Sequence, residues 1–518
     1  MNLARSGGIL LHPTSLPGPY GIGDLGPQAH RFIDWIAASG CSLWQVLPLG
    51  PTGYGNSPYQ CHSVFAGNAY MISPDLLMRD GLLAAPDLQE MPGFAAKPGQ
   101  PVSRVDFGRL IPWKQSLLKK AFARFRRSGS KTMRDNFLEF RSENSAWLDD
   151  FSLFMALKER YGGVSWTEWP VTIRRRQRRA LAKARQTLNT AALRFAFGQM
   201  LFFRQWDELR EYAHQRGVRI IGDVPIFAAE DSSDVWAHPE LFCVDDKGLP
   251  TVVGGVPPDY FAPTGQLWGN PLYRWENHRR SEYAWWLQRL RANLQIVDMV
   301  RLDHFRGFAG YWEIPAGAAT AEIGRWVPGP AEDFLDAMVR GLCPESVSEG
   351  LPIIAEDLGV ITPDVIQLRQ RYHLPGMRVL QFGFAALNEE FLPHKYVENC
   401  VAYTGTHDND TARGWFAAVS EQERQTALHY LQSTEATMVP DMIRAVWSSI
   451  AMFAIVPIQD LLDLGTEARM NVPGKPEGNW EWRLGADDLT DSLAEKFRGL
   501  NAECGRLHPD RFSRDGAG

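Results

Sequence analysis

The sequence contains few cysteines, and none of them lies close to another in the chain. Six occur in 518 residues, at positions 41, 61, 243, 343, 400 and 504. A zinc site or a dense disulfide framework requires closely spaced cysteines, such as a C-x-x-C pair, so this spacing suggests neither. We expect a cytoplasmic protein whose thiols are reduced.

Long apolar runs and excess positive charge are also missing. No stretch of about 18 apolar residues occurs, so no membrane span is predicted. The apolar run before His12 is too short for the core of a signal peptide. The net charge of −6 argues against a dedicated nucleic-acid binder. We interpret the basic segment at residues 174–185 as a solvated helix face, so neither a nucleic-acid nor a membrane partner is expected.

Residues 19–26, PYGIGDLG, match the dinucleotide fingerprint G-x-G-x-x-G, but the surrounding sequence does not fit it. That motif requires a strand leading into the glycines and an acidic residue about 20 positions later. Prolines precede the glycines here, and the next strand-like run ends without Asp or Glu. The pattern instead predicts a turn-rich loop leading into a helix over residues 27–39, with Pro27 in its first turn.

The 18 tryptophans are a large number for this length. Many stand beside Gly, Pro, Asn or Asp in loop-like sequence: Trp166, Trp169, Trp236, Trp268, Trp275, Trp312, Trp480 and Trp482. Loops carry binding surfaces more often than cores do, and flat aromatic faces beside polar side chains suit a sugar. Packing inside the protein is the alternative for about half of these residues.

Eight short apolar runs bounded by turn signals recur along the chain. They are GGILLHP, SLWQVLP, VRIIGDVPIF, DMVRLDHF, PIIAEDLG, MRVLQFGF, CVAYTGTHD and MFAIVPIQD. Continuous apolar character is typical of parallel strands that are covered on both faces. Eight such runs with helical stretches between them predict a (β/α)₈ TIM barrel, whose active site lies at the carboxyl ends of the strands.

The runs are unevenly spaced, which predicts large insertions in a single catalytic barrel that spans residues 1–518. Far more residues separate the second run from the third, and the third from the fourth, than a barrel crossover needs. We predict a mostly helical inserted subdomain at residues 75–200 and a second insertion at residues 230–298. Within the latter, the Gly-, Pro- and aromatic-rich residues 245–275 predict a long loop near the barrel mouth.

Acidic residues follow several of the runs. Arg301 and Asp303 stand at positions i and i+2 of a strand, so both should face the barrel interior, where the arginine favours the charged carboxylate. Glu356 ends the fifth run, Asp408 follows the seventh, and Asp223 lies in the third. Because strand ends converge in this fold, we expect these carboxyl groups at one mouth.

Such a cluster separates the pKa values of its members, so that one group is ionised and another is kept protonated. A pair of this kind can perform glycoside chemistry. Each feature also has a structural alternative: Arg301 and Asp303 as an ion pair, Glu356 as a helix cap, and residues 407–410 as a turn or a metal site. Their joint placement at strand ends favours catalysis.

Eight ordered segments reveal a resemblance along nearly the whole chain. They are GGILLHPTSLPGPYGIGDLG, WQVLPLGPTGYGNSPYQ, GDVPIFAAEDSSDVW, VPPDYFAPTGQLWGNPLY, VRLDHFRGF, IIAEDLG, GTHDNDT and GNWEWRL. In these segments the chain resembles the amylomaltases, the 4-α-glucanotransferases or disproportionating enzymes of glycoside hydrolase family 77. One departure is CHSVFAGNAY after SPYQ, where the family more often has a Ser-rich stretch. This change affects loop shape or acceptor preference and leaves the catalytic set untouched.

The resemblance implies roles for individual residues. Asp303 corresponds to the nucleophile, Glu356 to the general acid/base, and Asp408 to a third carboxylate that holds ring hydroxyls. Substrate contacts are implied at Tyr59, Asp223, Gln266, Trp268, Asn270, Arg301, His407 and Asn479. Residues 251–270, which include Tyr260, Phe261 and Trp268, correspond to a segment that covers the glucan. The resemblance implies neither a cofactor nor a catalytic metal.

The implied activity is transfer of α-1,4-glucan segments between malto-oligosaccharides through a covalent glucosyl-enzyme intermediate. One alternative is a hydrolase of the same barrel type, which passes the chain to water. A second is a non-catalytic maltodextrin-binding protein, which the retention of Asp303, Glu356 and Asp408 disfavours. A metal-dependent hydrolase is disfavoured because the sequence contains no H-x-H or H-E-x-x-H pattern.

Overall fold

The computed structural model describes residues 4–88, 104–258, 263–343, 350–385, 388–475 and 477–507. The strands within these residues are β1 (Ser6–Leu10), β2 (Leu43–Gln45), β3 (Arg219–Val224), β4 (Val252–Val256), β5 (Gln266–Pro271), β6 (Met299–Leu302), β7 (Gly310–Pro315), β8 (Arg325–Pro328), β9 (Ile353–Ala355), β10 (Gly376–Val379), β11 (Cys400–Tyr403) and β12 (Phe453–Pro457). They form two separate sheets, one of eight strands and one of four.

The eight-stranded sheet is the barrel. Its strands lie in the order β10, β11, β12, β1, β2, β3, β6, β9, and every pair is parallel. The remaining edge between β9 and β10 is bridged where the backbone N–H of Ala355 donates to the carbonyl of Pro375, at 2.9 Å. The predicted (β/α)₈ barrel is therefore confirmed, and each of the eight apolar runs contributes one strand.

The strand register sets the positions of the charged residues at the barrel mouth. Asp223 on β3 pairs directly with Arg301 on β6, and Leu302 on β6 pairs with Ala355 on β9. The strands are almost entirely buried, as expected for a parallel sheet enclosed by helices. The residues that follow β6 and β9 therefore emerge side by side at the same end of the barrel.

The helices surround the barrel and fill the insertions. They are α1 (Pro27–Ala38), α2 (Pro74–Arg79), α3 (Phe107–Ser128), α4 (Lys131–Glu143), α5 (Ser145–Arg160), α6 (Val171–Arg174), α7 (Arg178–Thr187), α8 (Asn189–Gln215), α9 (Ser233–Ala237), α10 (Trp275–Arg280), α11 (Ala284–Ile296), α12 (Arg306–Ala309), α13 (Ala331–Leu342), α14 (Pro363–Arg371), α15 (Leu380–Phe384), α16 (Ala412–Ala418), α17 (Glu421–Leu431), α18 (Met438–Ser448), α19 (Ile458–Leu461) and α20 (Asp491–Glu503). Among the described residues, no helix has both the length and the hydrophobicity of a transmembrane span.

The connection between β2 and β3 contains the helices α2 to α8. They share an aromatic core in which the rings of Phe125 on α3 and Phe197 on α8 stack with centroids 4.4 Å apart. This arrangement supports our proposal of a helical subdomain at residues 75–200, of which residues 89–103 lie outside the described part. The long helix α8 then leads back to the barrel and ends just before β3.

Several arginines of the basic segment at residues 174–185 contact acidic side chains of this chain. Arg176 donates to both carboxylate oxygens of Asp150, at 2.9 and 2.8 Å, and its guanidinium lies 4.4 Å from the ring centre of Trp236. Arg185 also contacts Asp150, at 3.4 Å. These contacts favour the structural interpretation of the basic segment.

The four-stranded sheet was not anticipated from the sequence. Its strands lie in the order β5, β4, β7, β8 and are antiparallel. Residues 245–275, expected to form a loop, therefore contain β4 and β5. The glycines of VVGGV weaken the strand signal in the sequence. They also allow the backbones of β4 and β5 to lie close together, because a Cβ at Gly255 would lie 2.2 Å from the carbonyl oxygen of Gln266 on β5. β4 and β5 form an antiparallel pair with a register shift between Val253 and Gly255.

The glycines of residues 19–26 are explained by packing. A Cβ at Gly23 would lie 2.0 Å from the carbonyl oxygen of Pro13, and the Gly23 N–H donates to the carbonyl of Thr14 at 2.8 Å. Helix α1 then begins at Pro27 and ends at Ala38, one residue before its predicted end. The segment is a tightly packed loop, as the sequence indicated.

Gly23→Ala is expected to destabilise the fold by about 2 kcal/mol, because the new methyl group collides with backbone atoms that cannot rotate away. Gly499→Ala is the matched control. Gly499 is exposed on α20 with open space around its Cα, so alanine there should raise stability by roughly 0.5 to 1 kcal/mol. Chemical denaturation of both variants measures the difference. Equal stabilities of the Gly23→Ala and Gly499→Ala variants would contradict the packing explanation for Gly23.

Candidate active site

Asp303 lies directly after β6, beside a buried cation. Its backbone N–H donates to the carbonyl of Val224 at 3.0 Å, which fixes the end of β6 against β3. The Nη2 atom of Arg301 lies 3.0 Å from its Oδ1 atom. The Asp303 side chain is 27% exposed, whereas that of Arg301 is buried. Asp303 is therefore a solvent-facing carboxylate with a protected positive partner, as the i, i+2 spacing predicts.

Arg301 has a second carboxylate partner on the neighbouring strand. Its Nη1 atom lies 2.7 Å from Oδ2 of Asp223, and both side chains are buried. Burial by itself lowers the pKa of Arg301, but Asp223 and Asp303 outweigh that effect and raise the pKa well above its ordinary value. Arg301 is therefore a permanent positive charge at the base of the site.

Glu356 follows β9 and is also buried. Its Oε2 atom accepts the backbone N–H of His304 at 2.7 Å, and its Oε1 atom accepts that of Leu358 at 2.8 Å. The pKa of Glu356 is raised to about 7, because burial, together with the negative charge of Asp303, outweighs the opposing effects of Arg301 and the two backbone bonds. A carboxyl group with this pKa can both donate and accept a proton near neutral pH.

The hydrogen bond from the His304 backbone also fixes the position of Glu356 relative to Asp303. His304 is the residue that follows Asp303, and its backbone N–H points at the Glu356 carboxyl group. The N–H of Glu356 in turn donates to the carbonyl of Leu302, at 3.1 Å. The two acids thus stand at adjacent strand ends, and one is partly exposed while the other is buried.

Asp408 and His407 occupy the loop after β11. Asp408 is 45% exposed, and its Oδ1 atom accepts a hydrogen bond from Nδ2 of Asn471 at 2.6 Å. Nε2 of His407 lies 3.3 Å from the same oxygen. Burial lowers the pKa of His407, with an opposing contribution from Asp408, so the ring is neutral near pH 7. Asp408 is the most solvent-accessible of the three acids.

Tyr59 connects the two halves of the site. Its hydroxyl donates to Oδ2 of Asp223 at 2.8 Å and lies 2.8 Å from Nε2 of His407. Burial raises the pKa of Tyr59 well above its ordinary value, and Asp223 adds to the effect, so the hydroxyl keeps its proton. One network of contacts therefore runs from Arg301 through Asp223 and Tyr59 to His407.

The candidate covering segment places Gln266, Trp268 and Asn270 on β5, where Nε1 of Trp268 donates to Oε1 of Gln266 at 3.2 Å. The Trp268 ring meets His304 edge-on, with centroids 4.8 Å apart. The Asn270 amide is buried, accepting from Gln60 at 2.9 Å and donating to the carbonyl of Ala228 at 3.0 Å. Tyr260 and Phe261 lie outside the described residues.

Asn479 uses its side-chain amide within its own loop. It accepts from the N–H of Val472 at 2.9 Å and donates to the carbonyl of Lys475 at 2.7 Å. The neighbouring Trp480 approaches the site instead, with its ring 5.8 Å from that of Tyr59 and 6.0 Å from that of His407. A contact between Asn479 and substrate stays a prediction.

Residue-by-residue reasoning did not single out several groups that complete the site. Arg469 donates to the backbone carbonyl of Asp408 at 2.7 Å and to that of Asn471 at 2.8 Å. No strand end or motif marked Arg469 or Asn471 in the sequence. Trp480, in contrast, is one of the loop-flanked tryptophans noted in the sequence, and His304 is adjacent to Asp303 in VRLDHF.

The described residues contain no group of three or more His, Cys, Asp or Glu side chains arranged to hold a metal ion. An ion-paired carboxylate and a buried carboxyl group of raised pKa on neighbouring strands, with a third carboxylate in the loop after β11, define a class of protein: the carboxylate-dependent barrels that process glycosidic bonds.

Comparisons with known proteins identify the family within this class. Residues 11–488 match the profile of glycoside hydrolase family 77, described as 4-alpha-glucanotransferase. The 4-alpha-glucanotransferase of Thermus thermophilus is 47% identical over 516 residues, which cover 98% of this chain and 100% of the relative. That of Solanum tuberosum, described as chloroplastic/amyloplastic, is 43% identical and covers 98% of this chain and 87% of the relative.

A solved structure agrees with the sequence comparisons. The amylomaltase from Streptococcus agalactiae, in complex with acarbose, superposes with a TM-score of 0.92 at 37% identity, covering 97% of this chain and 100% of the other. This chain belongs to the 4-alpha-glucanotransferase family, glycoside hydrolase family 77. The resemblance drawn from the sequence motifs is confirmed.

Glu356→Gln is expected to stabilise the fold increasingly as the pH rises from about 4.5 to about 7. The folded-state pKa of Glu356 lies near 7, above its ordinary value of 4.5, so across this window the folded protein retains a proton that the unfolded chain has lost. The contribution of Glu356 to wild-type stability therefore falls as the pH rises, whereas glutamine cannot ionise. The stability difference should change by on the order of 2 kcal/mol.

Chemical denaturation at a series of pH values measures this difference. Glutamine cannot accept both backbone bonds, but that cost does not vary with pH, so the slope against pH is the observable. Glu495→Gln on the exposed face of α20 is the control and should show no slope relative to wild type. A flat difference for Glu356→Gln would contradict the proposed burial effect.

Proposed function

We propose that this protein transfers segments of α-1,4-glucan from one malto-oligosaccharide to another by a retaining double displacement. The observation that carries the proposal is the pairing of Asp303 with Arg301 at one strand end, and of Glu356 with the His304 amide at the next. The two acids also differ in environment, since Asp303 is partly exposed and ion-paired whereas Glu356 is buried. The names of the family's members, and the acarbose complex of the S. agalactiae amylomaltase, support an α-glucan in this cleft.

In the first step a carboxylate oxygen of Asp303 attacks the anomeric carbon of the donor. The bond between that carbon and the glycosidic oxygen breaks, and the departing oxygen takes the proton of Glu356. Before the attack, Arg301 stabilises the negative charge on Asp303 and, through its second bond to Asp223, keeps a fixed position. The product of this step is a glucosyl ester of Asp303 and a shortened glucan.

In the second step the 4-hydroxyl of an acceptor sugar gives its proton to Glu356 and attacks the same carbon, which releases Asp303. Two inversions retain the α configuration. A pKa near 7 suits Glu356 for this exchange, since the group must be protonated in the first step and ionised in the second. In this proposal Asp408, whose position is fixed by the hydrogen bond from Asn471, accepts hydrogen bonds from ring hydroxyls. It also stabilises the positive charge on the sugar in both transition states.

Transfer requires that water does not reach the ester before the acceptor does. Exclusion of water by a covering segment is an established means to this end. In this proposal β5 supplies that cover, because Trp268 packs against His304 beside the two acids and Asn270 anchors the strand to the loop after β3. The remaining proposed sugar contacts are Tyr59, Asp223, Gln266, Arg301, His407 and Asn479.

Maltotriose distinguishes transfer from hydrolysis. If the proposal holds, incubation yields glucose together with maltotetraose, maltopentaose and longer products, because each cleavage passes a glucosyl chain to another sugar. A hydrolase would give only glucose and maltose. Chromatography of the products over time makes the measurement. A product set without any oligomer longer than three glucose units would refute transfer, and no turnover at all would favour a binding protein.

Asp303→Asn should lower the transfer rate by about 10³-fold or more, because the amide cannot form the glucosyl ester. The fold should be retained, since Asn still accepts a hydrogen bond from Arg301. Asp487→Asn, at an exposed position remote in sequence from the barrel strands, removes one negative charge and should leave the rate unchanged. Rates are measured with maltotriose alongside circular dichroism. A folded Asp303→Asn protein with near-normal turnover would exclude Asp303 as the nucleophile.

A further inference from the structure

His304 has a backbone conformation that histidine seldom adopts. Its φ angle is +49°, in the left-handed region where side chains other than glycine are strained. Strain of this kind persists only where the surrounding structure imposes it, and it clusters at functional sites. His304 also lies between the proposed nucleophile, Asp303, and the helix α12 that begins at Arg306. The conformation therefore calls for an explanation.

The left-handed turn determines where the His304 amide points. Its N–H donates to Oε2 of Glu356 at 2.7 Å, and its carbonyl accepts the N–H of Gly307 at 2.9 Å. The next residue adds a second link, because the N–H of Phe305 donates to the backbone carbonyl of Glu356 at 3.1 Å. Two consecutive backbone amides thus bind Glu356, one through its side chain and one through its main chain.

The ring of His304 makes a separate contact with the candidate covering segment. It meets the Trp268 ring edge-on, at 4.8 Å between centroids and an interplanar angle of 90°. A glycine makes room for it: a Cβ at position 307 would lie 3.2 Å from Cδ2 of His304 and 2.5 Å from Cδ1 of Ile226. Burial and, to a smaller extent, the positive charge of Arg306 lower the pKa of His304 to about 3, so the ring is uncharged at neutral pH.

We propose that His304 is a positioning residue that joins the acid/base to the covering segment: its left-handed backbone aims an amide at Glu356, and its ring supports Trp268. The proposal deepens the proposed function and rests on it. The backbone and the ring of His304 have separate effects. The backbone acts on the chemical step through Glu356, and the ring acts on substrate binding through Trp268.

Two substitutions separate the halves. His304→Gly removes the ring but adopts a positive φ without strain, so the amide still points at Glu356. His304→Val also removes the ring, and its β-branched side chain opposes a positive φ, so the amide turns away. We expect kcat of His304→Gly within about threefold of wild type, and kcat of His304→Val lower by about 10²-fold, the cost of a misplaced catalytic group.

The pH profile gives a readout that a purely structural role would not change. The amide bond favours the charged form of Glu356, so its loss in His304→Val should move the alkaline limb of kcat to higher pH. The charged groups that face Glu356, Arg301 and Asp303, are present in every variant. The His304 ring does not titrate in this range. In His304→Gly the alkaline limb should stay where it is in wild type.

The ring contact is tested through KM. Both His304→Gly and Trp268→Ala should raise KM, and because they remove the same contact, the double variant should raise KM by less than the product of the single effects. If the effects of the two substitutions on KM multiply in the double variant, the ring does not act through Trp268. The proposed role of the His304 ring would then be wrong.

His373 is the matched control for strain. It is also a histidine with a left-handed backbone, at φ = +53°, and it lies in the turn between α14 and β10. His373→Val should lower the melting temperature without changing kcat or the alkaline limb. If His304→Val does not fold, His304→Asn and His304→Ala replace the pair, because asparagine tolerates this conformation better than alanine.

Turnover of maltotriose by the wild-type protein is measured first, and its absence would overturn the proposed function itself. With the wild type active, a folded His304→Gly that is as impaired in kcat as His304→Val would overturn the positioning role, because the ring alone would then be responsible. The positioning role would also be overturned if His304→Gly, His304→Val and wild type had the same kcat and the same alkaline limb in the pH profile of kcat. The backbone conformation of His304 would then have no effect on Glu356.

Discussion

The buried guanidinium of Arg301 is the constraint on which the site depends. A charge removed from water costs several kcal/mol unless opposite charges and hydrogen bonds surround it. Arg301 meets this requirement with two carboxylates, Asp223 on the adjacent strand and Asp303 at the end of its own. The parallel register that pairs β3 with β6 is therefore also what places a carboxylate at the mouth. The ion pairs of Arg301 therefore both link the barrel strands and position the site.

The rest of the site departs from what stability alone would favour. Glu356 is buried with a pKa raised to about 7, so its ionisation opposes folding. His304 and Trp480 both have left-handed backbones next to the cleft. Proteins retain such features at functional sites because a well-packed scaffold offsets their cost. The closed barrel of eight buried strands provides that scaffold here, and rigid strand ends hold the acids in a fixed arrangement.

The barrel could be predicted because parallel strands covered on both faces are continuously apolar, and each run ended at a recognisable turn. The four-stranded sheet could not, since β4 reads VVGGV and β5 reads QLWGNP, in which glycine and proline suppress the strand signal. In the site, acids at strand ends were visible from the sequence. Arg469 and Asn471 were not, because they reach Asp408 from a loop more than 60 positions away in the chain.

The sequence by itself determined the eight barrel strands, the residue types at their ends and the family, because these depend on local patterns and on motifs of adjacent residues. Only the tertiary structure decided how those residues act. The Tyr59 hydroxyl bridges Asp223 and His407 from positions far apart in the chain, and burial raises the pKa of Glu356. Hydrogen-bond partners and local polarity arise from packing between distant segments, and a linear pattern of residues does not specify either.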